Sequence, residues 1–108
     1  MSDRYILDEN GEPVICDDLI QWALWYENPE NRTVALTEAG DYFVSTIFLA
    51  LDYAFIMGDP LKQRPVLWET MVFDKDKEPV GIRARYTSRE DAIAGHAEVV
   101  AACQMEGA

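Results

Sequence analysis

The sequence predicts an α+β domain: an antiparallel sheet of about four to six strands with two helices packed on one face. Three observations carry that prediction. Asn10-Gly11 separates two short apolar runs, as a tight hairpin turn does. The stretches 42–51 and 66–73 are dense in β-branched and aromatic residues. Acidic or hydroxyl residues stand ahead of two segments with helical apolar spacing, where they cap free backbone N–H groups.

Tyr5-Ile6-Leu7-Asp8 reads as the outgoing strand of the hairpin and Pro13-Val14-Ile15-Cys16 as its return. Pro13 takes the first strand position, where a missing N–H is tolerated. Asp17 or Asp18 caps the next segment, in which Leu19, Trp22, Ala23 and Tyr26 recur at helical spacing. Ile20, Leu24 and Trp25 widen its apolar face, so two sides of this helix are expected to be covered. Asn28-Pro29 ends it. Residues 32–37 read as a strand and Glu38-Ala39-Gly40-Asp41 as a turn. Residues 42–51 read as a long central strand buried on both faces, with a helix over 47–55 as the alternative. Gly58 and Pro60 make 57–64 a loop.

Residues 66–73 form the next predicted strand, and the charged run 74–79 turns the chain. Residues 82–86 complete a hairpin, with Arg83 and Arg85 on one face and Ile82, Ala84 and Tyr86 on the other. Thr87 with Glu90, or Ser88 with Asp91, forms a capping box. The helix after it runs through Gln104, with Ile93, His96, Ala97, Val100 and Cys103 as the buried stripe. Residues 105–108 are expected to fray. The predicted order is β-β-α-β-β-β-β-α, in one domain of 108 residues.

The formal charge is −11, of which the first 54 residues hold −9 and the rest −2. Such a field repels phosphate backbones, so direct nucleic-acid binding is not expected. It either attracts a basic partner surface or serves solubility alone. No apolar run is long enough to span a bilayer, and the N-terminus lacks the apolar core of a signal peptide, so the expected location is the cytoplasm. Cys16 and Cys103 lie far apart without C-x-x-C spacing and read as two buried thiols in a reducing compartment. With His96 they offer too few ligands for zinc. Phosphate-cradling and metalloprotease motifs are absent, and no cofactor is expected.

Three residues invite a chemical reading. Asp52 and Glu69 each interrupt an apolar run, and a charge there needs a partner. They either meet, sharing a proton or a divalent cation, or pair separately with Arg83 or Arg85. His96, the single histidine, is either a packed helix residue or a general base. A small metal- or ligand-binding protein or enzyme using Asp52, Glu69 and His96 requires that the three converge. Trp22, Trp25 and Tyr26 cannot all point inward from one helical stripe, so Trp25 is the candidate exposed anchor at an interface.

Four segments carry a resemblance: Tyr5-Ile6-Leu7-Asp8 through Gly11-Glu12-Pro13-Val14; Ser45-Thr46-Ile47-Phe48-Leu49-Ala50-Leu51-Asp52; Trp68-Glu69-Thr70-Met71-Val72-Phe73; and Arg85-Tyr86-Thr87-Ser88 through Ala94-Gly95-His96. Over most of its length the chain resembles a group of small proteins encoded by bacteriophages and prophages. Tyr53-Ala54-Phe55-Ile56-Met57 departs from that group, where a polar, Gly-rich stretch is expected. The resemblance implies an accessory protein in the cytoplasm of an infected or lysogenic bacterium. The leading expectation is a non-enzymatic protein that binds a host protein, as a counter-defence inhibitor would, through an acidic surface including Asp17 and Asp18. The alternative is a virion or assembly component, and an open sheet also allows a homodimer.

Overall fold

Two hairpins of the fold are headed by the same device. In each, an aspartate carboxylate caps the turn that follows it. Asp8 Oδ1 accepts from the N–H groups of Asn10 and Glu12, and Asp74 Oδ1 from those of Asp76 and Glu78. Gly11 and Lys77 then take positive φ, 78° and 64°, to close the turns. A computed structural model describes residues 3–52 and 64–106. The hairpin headed by Asp8 joins β1 (Tyr5–Leu7) to β2 (Pro13–Ile15), and the one headed by Asp74 joins β5 (Trp68–Phe73) to β6 (Pro79–Tyr86).

Between these hairpins run α1 (Leu19–Tyr26), a single helical turn α2 (Pro29–Arg32), β3 (Thr33–Ala39) and β4 (Tyr42–Phe48). The chain closes with α3 (Arg89–Glu106). The α+β class is as the sequence predicts. The sheet β3-β4-β5-β6 is a four-stranded antiparallel meander, and β1-β2 forms a separate two-stranded sheet. Asp18 caps α1, its carboxylate accepting from Gln21 N–H at 3.0 Å. Asn28 caps α2, a turn the sequence reading treated only as the end of α1.

Register sorts the sheet into two faces. Ala35, Thr37, Val44, Thr46, Phe48, Trp68, Thr70, Val72, Ala84 and Tyr86 share the face toward α3. Leu36, Phe43, Ile47, Glu69, Met71, Phe73 and Ile82 occupy the other. A register shift between Thr70 and Met71 inserts an extra residue in β6. It sends Ile82 and Ala84 to opposite faces, where simple alternation had put them together. The core has two parts. One gathers Phe48, Ala50, Leu67, Trp68 and Ala92, with Trp22, Trp25 and Tyr26 of α1 packed against it. The other gathers Ala39, Val44, Val72 and Cys103.

Among the described helices α3 lies across the sheet, while α1 packs on β1 and the first core cluster, with Trp25 against Phe48 on the same sheet face. The indole Nε1 of Trp22 donates to Tyr5 O and Ala50 O, both at 3.2 Å, and so ties the small sheet to the end of β4. The stripe of α3 is also rotated from expectation. Ala92, Gly95, His96 and Cys103 are buried, whereas Ile93 and Ala97 are exposed. The strand predicted over 42–51 stops at Phe48 and is fully enclosed at alternate positions only. The helix alternative ends as strand and irregular chain through Asp52, and its residues 53–55 lie outside the described residues. The predicted loop 57–64 also lies outside them, except for Arg64.

Candidate functional site

The polar groups buried beneath α3 form one chain of hydrogen bonds. Tyr86 Oη donates to Thr70 Oγ1 at 3.0 Å. Thr70 and Thr46 share a hydroxyl–hydroxyl bond of 2.6 Å. Thr46 Oγ1 lies 2.7 Å from His96 Nδ1, and Thr37 Oγ1 lies 2.8 Å from His96 Nε2. Strand alternation places the three threonines on the α3 face. A neutral imidazole completes the chain with one nitrogen donating and the other accepting. Burial pushes the His96 pKa below its ordinary 6.5. The contacts of His96 are thus hydroxyls that fix its orientation, and the ring is buried without a carboxylate to raise its basicity.

Glu69 faces the other way. Its Oε2 accepts from Arg85 Nε at 3.0 Å, directly across the β5–β6 pairing. Asp52 stands at the end of the sheet, where its Oδ1 accepts from Val66 N–H at 3.1 Å. The structure therefore places Glu69 and His96 on opposite sides of the sheet. A metal or ligand site built from all three has no common centre. Among the described residues no group of three or more His, Cys, Asp or Glu is placed to hold a metal ion. Cys16 and Cys103 are both buried.

Trp25 does not stand out as an anchor. It is half-buried, edge-on to Phe48 at 5.8 Å between ring centroids, and Trp22 stacks on Tyr26 at 4.8 Å. The three aromatics of α1 face the core together, and Leu19, Ile20 and Leu24 are left outside. Val14 and Ile15 of β2 are exposed as well, as are Glu12, Asp17, Asp18 and Glu27. A second apolar area lies on the sheet face turned away from α3. Leu36 is 66% and Ile82 48% exposed there. Leu36, Phe43, Phe73 and Lys77 line a groove of about 310 Å³.

A cavity of about 280 Å³ opens at the start of α3, against the β1–β2 turn. Gly11, Glu12, Pro13, Arg64, Trp68, Thr87, Ser88, Arg89 and Glu90 surround it. Ser88 Oγ accepts from Asp91 N–H, and Ser88 O from Ala92 N–H. The N–H groups of Arg89 and Glu90 have no intrahelical acceptor, as in any first turn. Trp68 is 2% exposed, yet its Nε1–H is buried without an acceptor. An unmade buried bond of this kind costs about 1–3 kcal/mol. Sequence reasoning found the Ser88 cap but not this cavity, because Glu12, Arg64 and Arg89 meet only through the tertiary fold.

Set against family profiles, curated proteins and solved structures, the chain matches none of them. Among the described residues no helix is long and apolar enough to cross a membrane.

Proposed function

We propose that this chain is a bacteriophage-encoded accessory protein that binds a bacterial host protein through the acidic, apolar surface of β2 and α1. The observation that carries the reading is the exposure of Leu19, Ile20 and Leu24 on α1, where Ile20 is 69% and Leu24 65% exposed. Ile20 and Leu24 stand one helical turn apart and form an adjacent pair of apolar side chains. Carboxylates border this helix, in the half of the chain that carries −9. The complementary surface is an apolar groove bordered by Lys and Arg. Sequence reasoning gave the anchor role to Trp25; here Ile20 and Leu24 take it, because the aromatics of α1 are used in the core.

The test is a tagged pull-down from bacterial lysate at low and high salt, comparing the native chain with Ile20→Glu/Leu24→Glu. A partner held by the native chain, weakened by salt and lost in the folded double variant, supports the reading. A partner retained equally by the variant, or held through neutral contacts insensitive to salt, refutes it.

The exposed apolar groove of Leu36, Phe43 and Phe73 supports a second reading, a self-associating assembly component. Light scattering of the native chain and of Leu36→Lys decides it: a dimer lost in the variant supports the reading, and a strict monomer removes it.

A further inference from the structure

We propose that His96 is a proton-operated clasp between α3 and the sheet, closed in one tautomer of the neutral ring and opened by protonation at Nδ1. The clasp is independent of the docking surface on α1. It rests on the direction of the hydrogen bonds beneath α3, which join one side chain from each strand of the four-stranded sheet. Tyr86 Oη of β6 donates to Thr70 Oγ1 of β5. Thr70 is fully buried and has a single hydroxyl proton, which it gives to Thr46 Oγ1 of β4, 2.6 Å away. Thr46, also fully buried, has then accepted one bond and gives its own proton to His96 Nδ1 at 2.7 Å. Nδ1 is therefore an acceptor that carries no hydrogen. The hydrogen of the neutral ring lies on Nε2, which donates to Thr37 Oγ1 of β3 at 2.8 Å. The opposite direction would leave the Thr70 hydroxyl proton buried without an acceptor.

Protonation of the ring places a hydrogen on Nδ1, against the one that Thr46 already directs there. Thr46 must turn away, and the bonds behind it, to Thr70 and Tyr86, must reverse or break. The new charge also meets no carboxylate. Among the described residues on the faces that meet, β4 presents Tyr42 and β6 presents Tyr86 as titratable groups, α3 adds Cys103, and β3 and β5 present none. The charged residues of α3 on either side of His96, namely Arg89, Glu90, Asp91 and Glu98, are exposed. Burial accordingly holds the His96 pKa below its ordinary 6.5. The folded chain binds this proton more weakly than the opened one. The clasp is therefore complete above 6.5 and loses its hold as pH falls from there through the lowered value. His96 bonds directly to β3 and β4, so the loss is felt at the seat of α3.

Two measurements on the labelled full chain test this. Long-range ¹H–¹⁵N correlation spectra of the imidazole at about pH 7.5 show which ring nitrogen carries hydrogen. The expected form is Nε2–H, and the native chain alone suffices to see it. Amide hydrogen exchange, corrected for its intrinsic pH dependence, then follows α3 from about pH 7.5 to about pH 5. Protection of the α3 amides around His96 should fall by about tenfold per unit of pH below 6.5, until the lowered value is passed. The β1–β2 hairpin is the internal control, and His96→Gln, which takes up no proton, should abolish the dependence. Thr46→Val removes the donor to Nδ1, so His96 should bind its proton about fivefold more tightly, whereas Thr46→Ser keeps the hydroxyl and the native titration. An Nδ1–H ring in the native chain, or α3 protection that does not change with pH, overturns the proposal. So does a loss shared equally by the β1–β2 hairpin, one that persists in His96→Gln, or a His96 titration unmoved by Thr46→Val.

Discussion

Replacing Gly95 by alanine should destabilise this protein, although helix propensity says the reverse. Gly95 lies inside α3, where alanine is favoured by about 1 kcal/mol. Gly95 is also buried, and a Cβ there would overlap the phenol of Tyr86, meeting its oxygen, Cε1 and Cζ. Either the ring or the helix must shift. Overpacking of this kind costs about 1–3 kcal/mol. Displacing the ring also breaks the 3.0 Å bond from Tyr86 Oη to Thr70 Oγ1, for about 1 kcal/mol more. With the propensity gain subtracted, the net loss is about 1–3 kcal/mol. For a domain near this size that lowers Tm by roughly 5–15 °C.

Thermal and urea unfolding followed by circular dichroism measure this directly. A second background makes the cause visible. In Tyr86→Ala the obstructing ring is gone, so adding Gly95→Ala should stabilise by about 1 kcal/mol through propensity alone. The sign of one substitution thus reverses with its neighbour. A Gly95→Ala protein as stable as the native chain, or an equal loss in both backgrounds, would refute the argument that Tyr86 sets the requirement for glycine.

Other expected outcomes concern the buried polar groups and the turns. His96 has a lowered pKa in the fold, so the unfolded chain takes up its proton first as pH falls. Its contribution to stability is complete above the ordinary value near 6.5 and is lost as pH drops from there through the lowered folded value; urea midpoints across pH 5–8 should show this slope, flattened in His96→Gln. Arg85→Met strands the Glu69 carboxylate, of which only 10% is exposed, and should cost about 2–4 kcal/mol, whereas Glu69→Leu with Arg85→Met should cost much less in the same denaturation assay. Lys77→Gly relieves a positive φ of 64° at the position Gly11 occupies in the other hairpin and should stabilise by about 0.5–1 kcal/mol by thermal melt.

The parts of the fold that depend on local chemistry were legible from sequence. Asn10-Gly11, the aspartate caps and the run Trp68-Glu69-Thr70-Met71-Val72-Phe73 each act within a few residues. What sequence could not give depends on distant partners. The stripe of α3 was read from side-chain apolarity, which selects Ile93. The sheet instead presents Trp68 and Tyr86, so the helix approaches with its smallest residues, Ala92 and Gly95, and Ile93 turns outward. The same logic moved the exposed position in α1 from Trp25 to Ile20 and Leu24. Large rings fill the space beside Phe48, and the aliphatic residues face water. The extra residue in β6 left no mark that alternation could read.

Alternation along β5 explains why three chemistry-bearing residues form no joint site. Trp68, Thr70 and Val72 point to α3, so a polar side chain at 70 must be satisfied inside, and Thr46, Tyr86 and His96 satisfy it. Glu69 points away and meets Arg85 in the same cross-strand row. Each polar intrusion into an apolar run is therefore answered by the nearest residue on its own face. That arrangement stabilises the fold and leaves Glu69 and His96 already engaged. Among the described residues, the apolar surface of α1 and the exposed Arg64 and Arg89 at the start of α3 take no part in that pairing. Recognition chemistry in this protein is accordingly expected where the sheet's own pairing ends.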